Sequence, residues 1–161
     1  VVKETGCGLS RQVGLMVREI GITAVDVSGA GGTSWVGVET HRAEGVARAV
    51  GEALWDWGVP TAASVSLLSD LNLQIIATGG LRSGLDVAAA IALGARAGGL
   101  AAPVLKAWKA GGYDGAVEYL RGVIETVKAV TFLTGCRTPA ELASAPRVIG
   151  STLRAWQEGA R

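Results

Sequence analysis

The chain has 161 residues, 49% hydrophobic and 18% charged, with a formal net charge of +1. These proportions exclude a disordered or collagen-like polymer and describe one globular unit. The near-neutral balance leaves no electrostatic footprint for nucleic acid or an acidic membrane, and no apolar run reaches the roughly 18 residues of a membrane span.

Val1–Glu4 reads as a short strand followed by the loop Thr5–Leu9. It begins without Met in mid-strand, so an N-terminal portion of the protein is expected to be missing. No basic region precedes a long apolar segment, and no signal peptide is expected. Ser10 has the chemistry of a helix N-cap, since its hydroxyl can accept a free first-turn amide. Val13, Met16, Val17 and Ile20 then recur at helical spacing until Gly21.

Thr23–Val27 is apolar and β-branched and reads as a buried strand. The Gly-rich loop Ser28–Trp35 (SGAGGTSW) follows. His41–Trp57 has helical spacing through Val46, Val50, Ala53 and Leu54, the stretch WGVP breaks it, and Thr61–Leu71 reads as another helix. Leu73–Ala77 is a third strand with helix Ser83–Leu93 behind it. Ala95–Leu100 is a fourth, small-residue strand. Pro103 suits the first turn of a helix, where its missing N–H costs nothing. Tyr113–Leu133 is a long amphipathic helix, and Thr138–Ala143 opens as a capped start, TPAEL. The tail Pro146–Arg161 is weakly patterned.

Four apolar strands alternating with helices imply a parallel sheet covered by helices. Four such units make half of a (β/α)₈ TIM barrel. Residues 1–161 are therefore expected to be the C-terminal half of one barrel domain, supplying the last four βα units. A flavodoxin-like open sheet is the alternative.

The stretch LQIIATGGLRSGLD (Leu73–Asp86) places two glycines at a strand end, directly before a helix. Without Cβ atoms, Gly79 and Gly80 let the backbone turn sharply and approach a ligand, and the helix start behind them favours an anion. The next strand ends GGLAAP (Gly98–Pro103), where the amides of Ala101 and Ala102 can complete a phosphate cup. A tight βα turn alone is the plainer alternative.

GAGGTSW lacks the G-x-G-x-x-G spacing of a dinucleotide loop, but the hydroxyls of Thr33 and Ser34 suit a polar ligand edge. Trp35 can wall a pocket or pack under a loop. Lys3 and Asp26 both fall at strand ends; Lys3 can face a phosphate or an electron-rich ring, or be solvated, and Asp26 can bind a ligand or hold a loop by accepting backbone amides, the second being expected. His41, the sole histidine, is placed at a helix start on the surface. Cys7 and Cys136 are too few for a disulfide framework and are expected to be reduced.

Taken together, VVKETGCGLSR (Val1–Arg11), AVDVSGAGGTSW (Ala24–Trp35), WGVPTAAS (Trp57–Ser64) and IIATGGLRSGLDVAAAIALGA (Ile75–Ala95) resemble the type 2 isopentenyl-diphosphate Δ-isomerases. GGLAAPVL and FLTGCRTPAEL (Phe132–Leu142) also fit, so the resemblance covers nearly the whole chain, as the C-terminal half of such an enzyme. It implies an FMN-dependent TIM-barrel isomerase of isoprenoid biosynthesis that interconverts isopentenyl and dimethylallyl diphosphate. NADPH keeps the flavin reduced, Mg²⁺ assists the substrate diphosphate, and the enzyme is a cytoplasmic tetramer or octamer.

By the same resemblance, Lys3 contacts the flavin ring, Ser28 and Thr33 bind FMN, and Gly80, Leu81 and Arg82 together with Ala101 and Ala102 hold its phosphate, beside the Gly79 of the backbone cradle. The family's Gln–Glu pair and its early basic and histidine residues have no counterpart here, so no metal ligand and no proton donor is assigned. Other phosphate-binding barrels stay open: a 2-hydroxy-acid oxidase, which needs a His–Arg pair at its strand ends, an inosinate-dehydrogenase-like enzyme, which needs a catalytic Cys, or an inactive half barrel.

Overall fold

A computed structural model describes residues 1–159; Ala160 and Arg161, the end of the tail, lie outside the described residues. In chain order the elements are β1 (Val2–Lys3), α1 (Arg11–Glu19), β2 (Ala24–Asp26), α2 (Trp35–Arg42), α3 (Gly45–Ala53), α4 (Thr61–Leu68) and β3 (Gln74–Ala77). They continue with α5 (Gly84–Ala92), β4 (Ala97–Gly98), α6 (Ala102–Leu133), a 3₁₀ turn (Pro139–Ser144) and α7 (Ser151–Gly159).

The four strands are parallel and ordered β1-β2-β3-β4. A doubly wound sheet reverses its strand order at a switch point, whereas consecutive units of a TIM barrel sit side by side. The sequential order therefore decides for the barrel over the flavodoxin-like sheet. Register pairs Val2 with Val25 and Lys3 with Asp26, then Val25 with Ile75 and Asp26 with Ile76.

Alternation divides the sheet into two faces. Val25, Val27, Ile75 and Ala77 are almost completely enclosed and pack with Val17 of α1, Val65 and Leu68 of α4, and Val87 and Ala90 of α5. The other face carries Lys3, Asp26, Ile76 and Thr78. No helix among the described residues is long and apolar enough to cross a membrane.

Local signals hold well where a cap is present. Ser10 caps α1 by accepting the Val13 amide, and Ser83 caps α5 by accepting that of Asp86. Of the four apolar residues at helical spacing here, Val13, Met16 and Ile20 are exposed, because α1 packs through Gly14 and Val17.

The single helix expected over His41–Trp57 is two helices. The backbone turns extended at Ala43 and Glu44, and α3 folds back on α2. The fold-back needs small residues, since a Cβ on Gly51 would overlap the Thr40 side chain at 2.0 Å. His41 consequently sits in the last turn of α2, not at a helix start, with its ring edge-on to Trp55 at 5.4 Å.

Helix α6 breaks at Gly111–Gly112, which separates the expected starts at Pro103 and Tyr113. The TPAEL segment forms a 3₁₀ turn whose Thr138 side chain caps nothing. α7 arises within the tail that showed little pattern, and is held where Gln157 Nε2 donates to Ser66 Oγ at 2.7 Å.

Candidate functional site

The C-terminal ends of all four strands open on one cavity of 670 Å³. Its lining includes Lys3 and Thr5 after β1, Asp26, Ser28, Gly32, Thr33 and Trp35 after β2, Thr78–Arg82 after β3, and Gly99–Pro103 with Lys106 after β4. Lys3, Ser28, Thr33, Gly79–Arg82, Ala101 and Ala102, expected from the sequence to bind a cofactor, are thus brought to one place. A second cavity, lined by Arg11, Ser66, Asp70, Arg147 and Gln157, has its polar groups bonded within the protein, and serves the docking of α7.

Asp26 organises the cavity floor. Its Oδ1 accepts the Ser28 amide at 3.2 Å and the Thr78 hydroxyl at 2.5 Å, and its Oδ2 lies 3.4 Å from Lys3 Nζ. One carboxylate therefore joins three strand ends. The expected role in holding a loop is observed, and the contacts to Lys3 and Thr78 add to it. Ser28 is held at φ +37°, a region unfavourable for a residue with a Cβ. Its hydroxyl makes no hydrogen bond among the described residues, although the residue is 8% exposed.

The glycine pair has a different cause from the one its sequence suggested. Gly79 and Gly80 adopt φ +102° and +89°. A Cβ on Gly79 would lie 2.1 Å from the Gly29 carbonyl oxygen, and one on Gly80 would lie 2.2 Å from that of Gly31. Their missing side chains admit the neighbouring Gly-rich loop. Thr61 locks the junction by donating to the Gly79 carbonyl at 2.5 Å. Arg82 bridges both loops, donating to the Gly80 carbonyl at 2.8 Å and to that of Gly31 at 3.1 Å.

The start of α5 is likewise already filled. Asp86 Oδ2 accepts the Arg82 amide at 2.8 Å and sits 3.0 Å from Ser83 Oγ. That carboxylate occupies the position where an external anion was expected, so the Arg82 main chain contributes nothing to a ligand.

The open groups lie elsewhere around the same cavity. Among the described residues, the amides of Gly80 and Leu81 donate to no protein acceptor. The N-cap residue of α6, Ala101, has no side-chain cap, so the first-turn amides of that helix lack partners. Two loop amides and an uncapped helix start on one cavity are what a phosphate requires. The residues present therefore fit a phosphate group, with α6 rather than α5 supplying the helix end.

Ser34 is not a ligand group. Its hydroxyl caps α2, accepting the Gly37 amide at 3.1 Å. Trp35 stands beside it as cavity wall. Cys7 does not line the cavity, and burial followed by the nearby Glu4 charge raises its pKa, which keeps it a thiol. His41 also lies outside the lining.

Sequence reasoning missed Glu4, whose Oε2 accepts the amides of Gly6 at 2.6 Å, Cys7 at 2.5 Å and Gly8 at 2.9 Å. This clamp shapes the loop after β1. A carboxylate followed by Thr-Gly-Cys-Gly was the available signal. Lys106 and Tyr119, whose hydroxyl donates to the Arg82 carbonyl, were also missed, being placed by the course of α6.

The sequence model of the FMN-dependent dehydrogenase family matches residues 9–148. The isopentenyl-diphosphate delta-isomerase of Pyrococcus furiosus is 41% identical over 160 residues, which span 98% of this chain and 41% of that protein. The protein of the same name from Methanothermobacter thermautotrophicus is 43% identical over 158 residues, spanning 97% of this chain and 44% of its own length. The chain thus spans about two fifths of the curated relatives that it matches. A solved structure described as a lactate oxidase of Pediococcus acidilactici superposes with a TM-score of 0.66 at 20% identity, over 87% of this chain and 34% of that one.

Proposed function

The chain belongs to the FMN-dependent dehydrogenase family, and from that premise we propose that it is the flavin-phosphate half of a type 2 isopentenyl-diphosphate isomerase barrel. The observation carrying this reading is the convergence of Lys3, Ser28, Thr33, Gly79–Arg82 and Ala101–Ala102 on one cavity at the strand ends, in a chain 41–43% identical to proteins bearing that name.

Bound FMN in its reduced form supplies an electron-rich ring at which protons are added to and removed from an alkene, without net redox change. The residues of this chain bind and orient. The amides of Gly80, Leu81, Ala101 and Ala102 grip the phosphate. Ser28 and Thr33 offer hydroxyls to the polar middle of the cofactor. Lys3, fixed by Asp26, puts a positive charge beside the ring, where it stabilises electron density. Trp35 forms part of the cavity wall. No residue of this chain is assigned as proton donor.

Among the described residues, no cluster of three His, Cys, Asp or Glu side chains is placed to hold a metal. The Mg²⁺ that assists the substrate diphosphate and the NADPH that maintains the flavin are assigned to the whole enzyme. So are its cytoplasmic location and its tetrameric or octameric assembly. An oxidase reading draws no support from the site: it needs a histidine beside an arginine at the strand ends, and His41 faces Trp55 instead.

The test uses the full-length protein. It should be yellow, bleach with dithionite, and interconvert the two five-carbon diphosphates when reduced. A colourless protein that takes up no FMN ends the proposal; a flavoprotein that oxidises 2-hydroxy acids replaces it.

A further inference from the structure

We propose that Lys106 supplies the second cationic side chain to the phosphate of the bound flavin, an inference that rests on the flavin reading above. Lys106 lies one turn into α6 and lines the same cavity as Gly79–Arg82 and Ala101–Pro103. It follows Pro103 by three residues and Ala102 by four, so it shares their face of the helix. Helical side chains lean toward the N-terminus, which carries its ammonium toward the uncapped first turn. Among the described residues, Lys106 makes no hydrogen bond and no ion pair.

Charge matching points the same way. A phosphomonoester carries about −1.5 to −2 charges near pH 7. The α6 terminus offers the equivalent of roughly +0.5. Three cations line the cavity: Lys3, Arg82 and Lys106. Lys3 is engaged by Asp26 at 3.4 Å and belongs to the opposite end of the site. Arg82 is pinned by two carbonyls and supplies one charge from a fixed position. Helix end and Arg82 together fall short of the dianion, and Lys106 is the remaining cation on that side.

The experiment compares FMN with riboflavin, which lacks the phosphate, by fluorescence titration of the deflavinated full-length protein. The wild type should prefer FMN. Lys106→Gln should weaken FMN binding by about tenfold, the scale of one charge-assisted hydrogen bond, and leave riboflavin affinity unchanged. Lys106→Arg should restore most of the loss. FMN affinity unchanged in Lys106→Gln overturns the role of Lys106 and leaves the flavin reading standing. Equal loss for both flavins also overturns it, since the phosphate would not be what Lys106 senses. Failure of the wild type to bind either flavin removes this proposal and the flavin reading together.

Discussion

Lys3 Nζ stands 3.4 Å from Asp26 Oδ2, across the β1–β2 register that pairs these two residues directly. Strand register alone brings them together, and the pair ties the first strand end to the second. Thr78, two residues beyond the Asp26 partner Ile76, extends the tie to β3 through its bond to Asp26 Oδ1.

Asp26→Ala should therefore loosen three strand ends at once. The carboxylate is mostly buried, while the Lys3 side chain is 55% exposed, so the ion pair itself adds little. Loss of the Ser28 and Thr78 hydrogen bonds should dominate, at about 2 kcal/mol. Urea denaturation measures it. Asp26→Asn keeps an acceptor for both and should cost less; equal costs would contradict this division.

Gly80→Ala should damage the site through its neighbour. The new Cβ would press on the Gly31 carbonyl at a φ that side chains disfavour. A stability loss of about 1–3 kcal/mol is expected. Riboflavin and FMN affinities should fall together, because the loop junction opens. Selective loss of FMN alone would show that the residue crowds the phosphate instead.

The acid response should depend on Glu4. Burial raises the pKa of this carboxyl, but the hydrogen bonds from the amides of Gly6, Cys7 and Gly8 outweigh it, and the net shift is downward from 4.5. A lowered folded-state pKa means stabilisation that is full above the unfolded value and is lost as pH falls through the folded value. Glu4→Gln should thus be less stable than wild type at neutral pH, and the gap should close below about pH 4. Thermal melts across pH 3–7 read it; a constant gap would sink the clamp.

Leu68→Ala should test the helix-side core. Leu68 has no exposed surface and packs in the cluster around Val25 and Ile75. A cavity there should cost about 2–5 kcal/mol. A loss under 1 kcal/mol would mean that α4 is less tightly seated than it stands here.

Much of the fold was legible because its signals are local. Hydroxyl caps at Ser10 and Ser83, apolar strand runs and the glycines after β3 each act within a few residues, so sequence spacing reports them. The α2–α3 break was not legible, since the spacing of Val46, Val50 and Leu54 continues through it, and the close approach of Gly51 to Thr40 shows only once the two helices are folded together. α7 was missed for a similar reason: its anchor, Ser66, lies 91 positions away from Gln157.

By itself, the sequence determined four strand–helix units, a Gly-rich junction after the third strand, and several of the residues that meet at the cavity. Tertiary structure alone decided the strand order, and what the glycines make room for. It also moved the open helix end from α5 to α6, because Asp86 fills the first. The physical reason is range: dihedral preference and periodicity are written in neighbouring residues, whereas which loop abuts which carbonyl is set by packing between segments far apart in the chain.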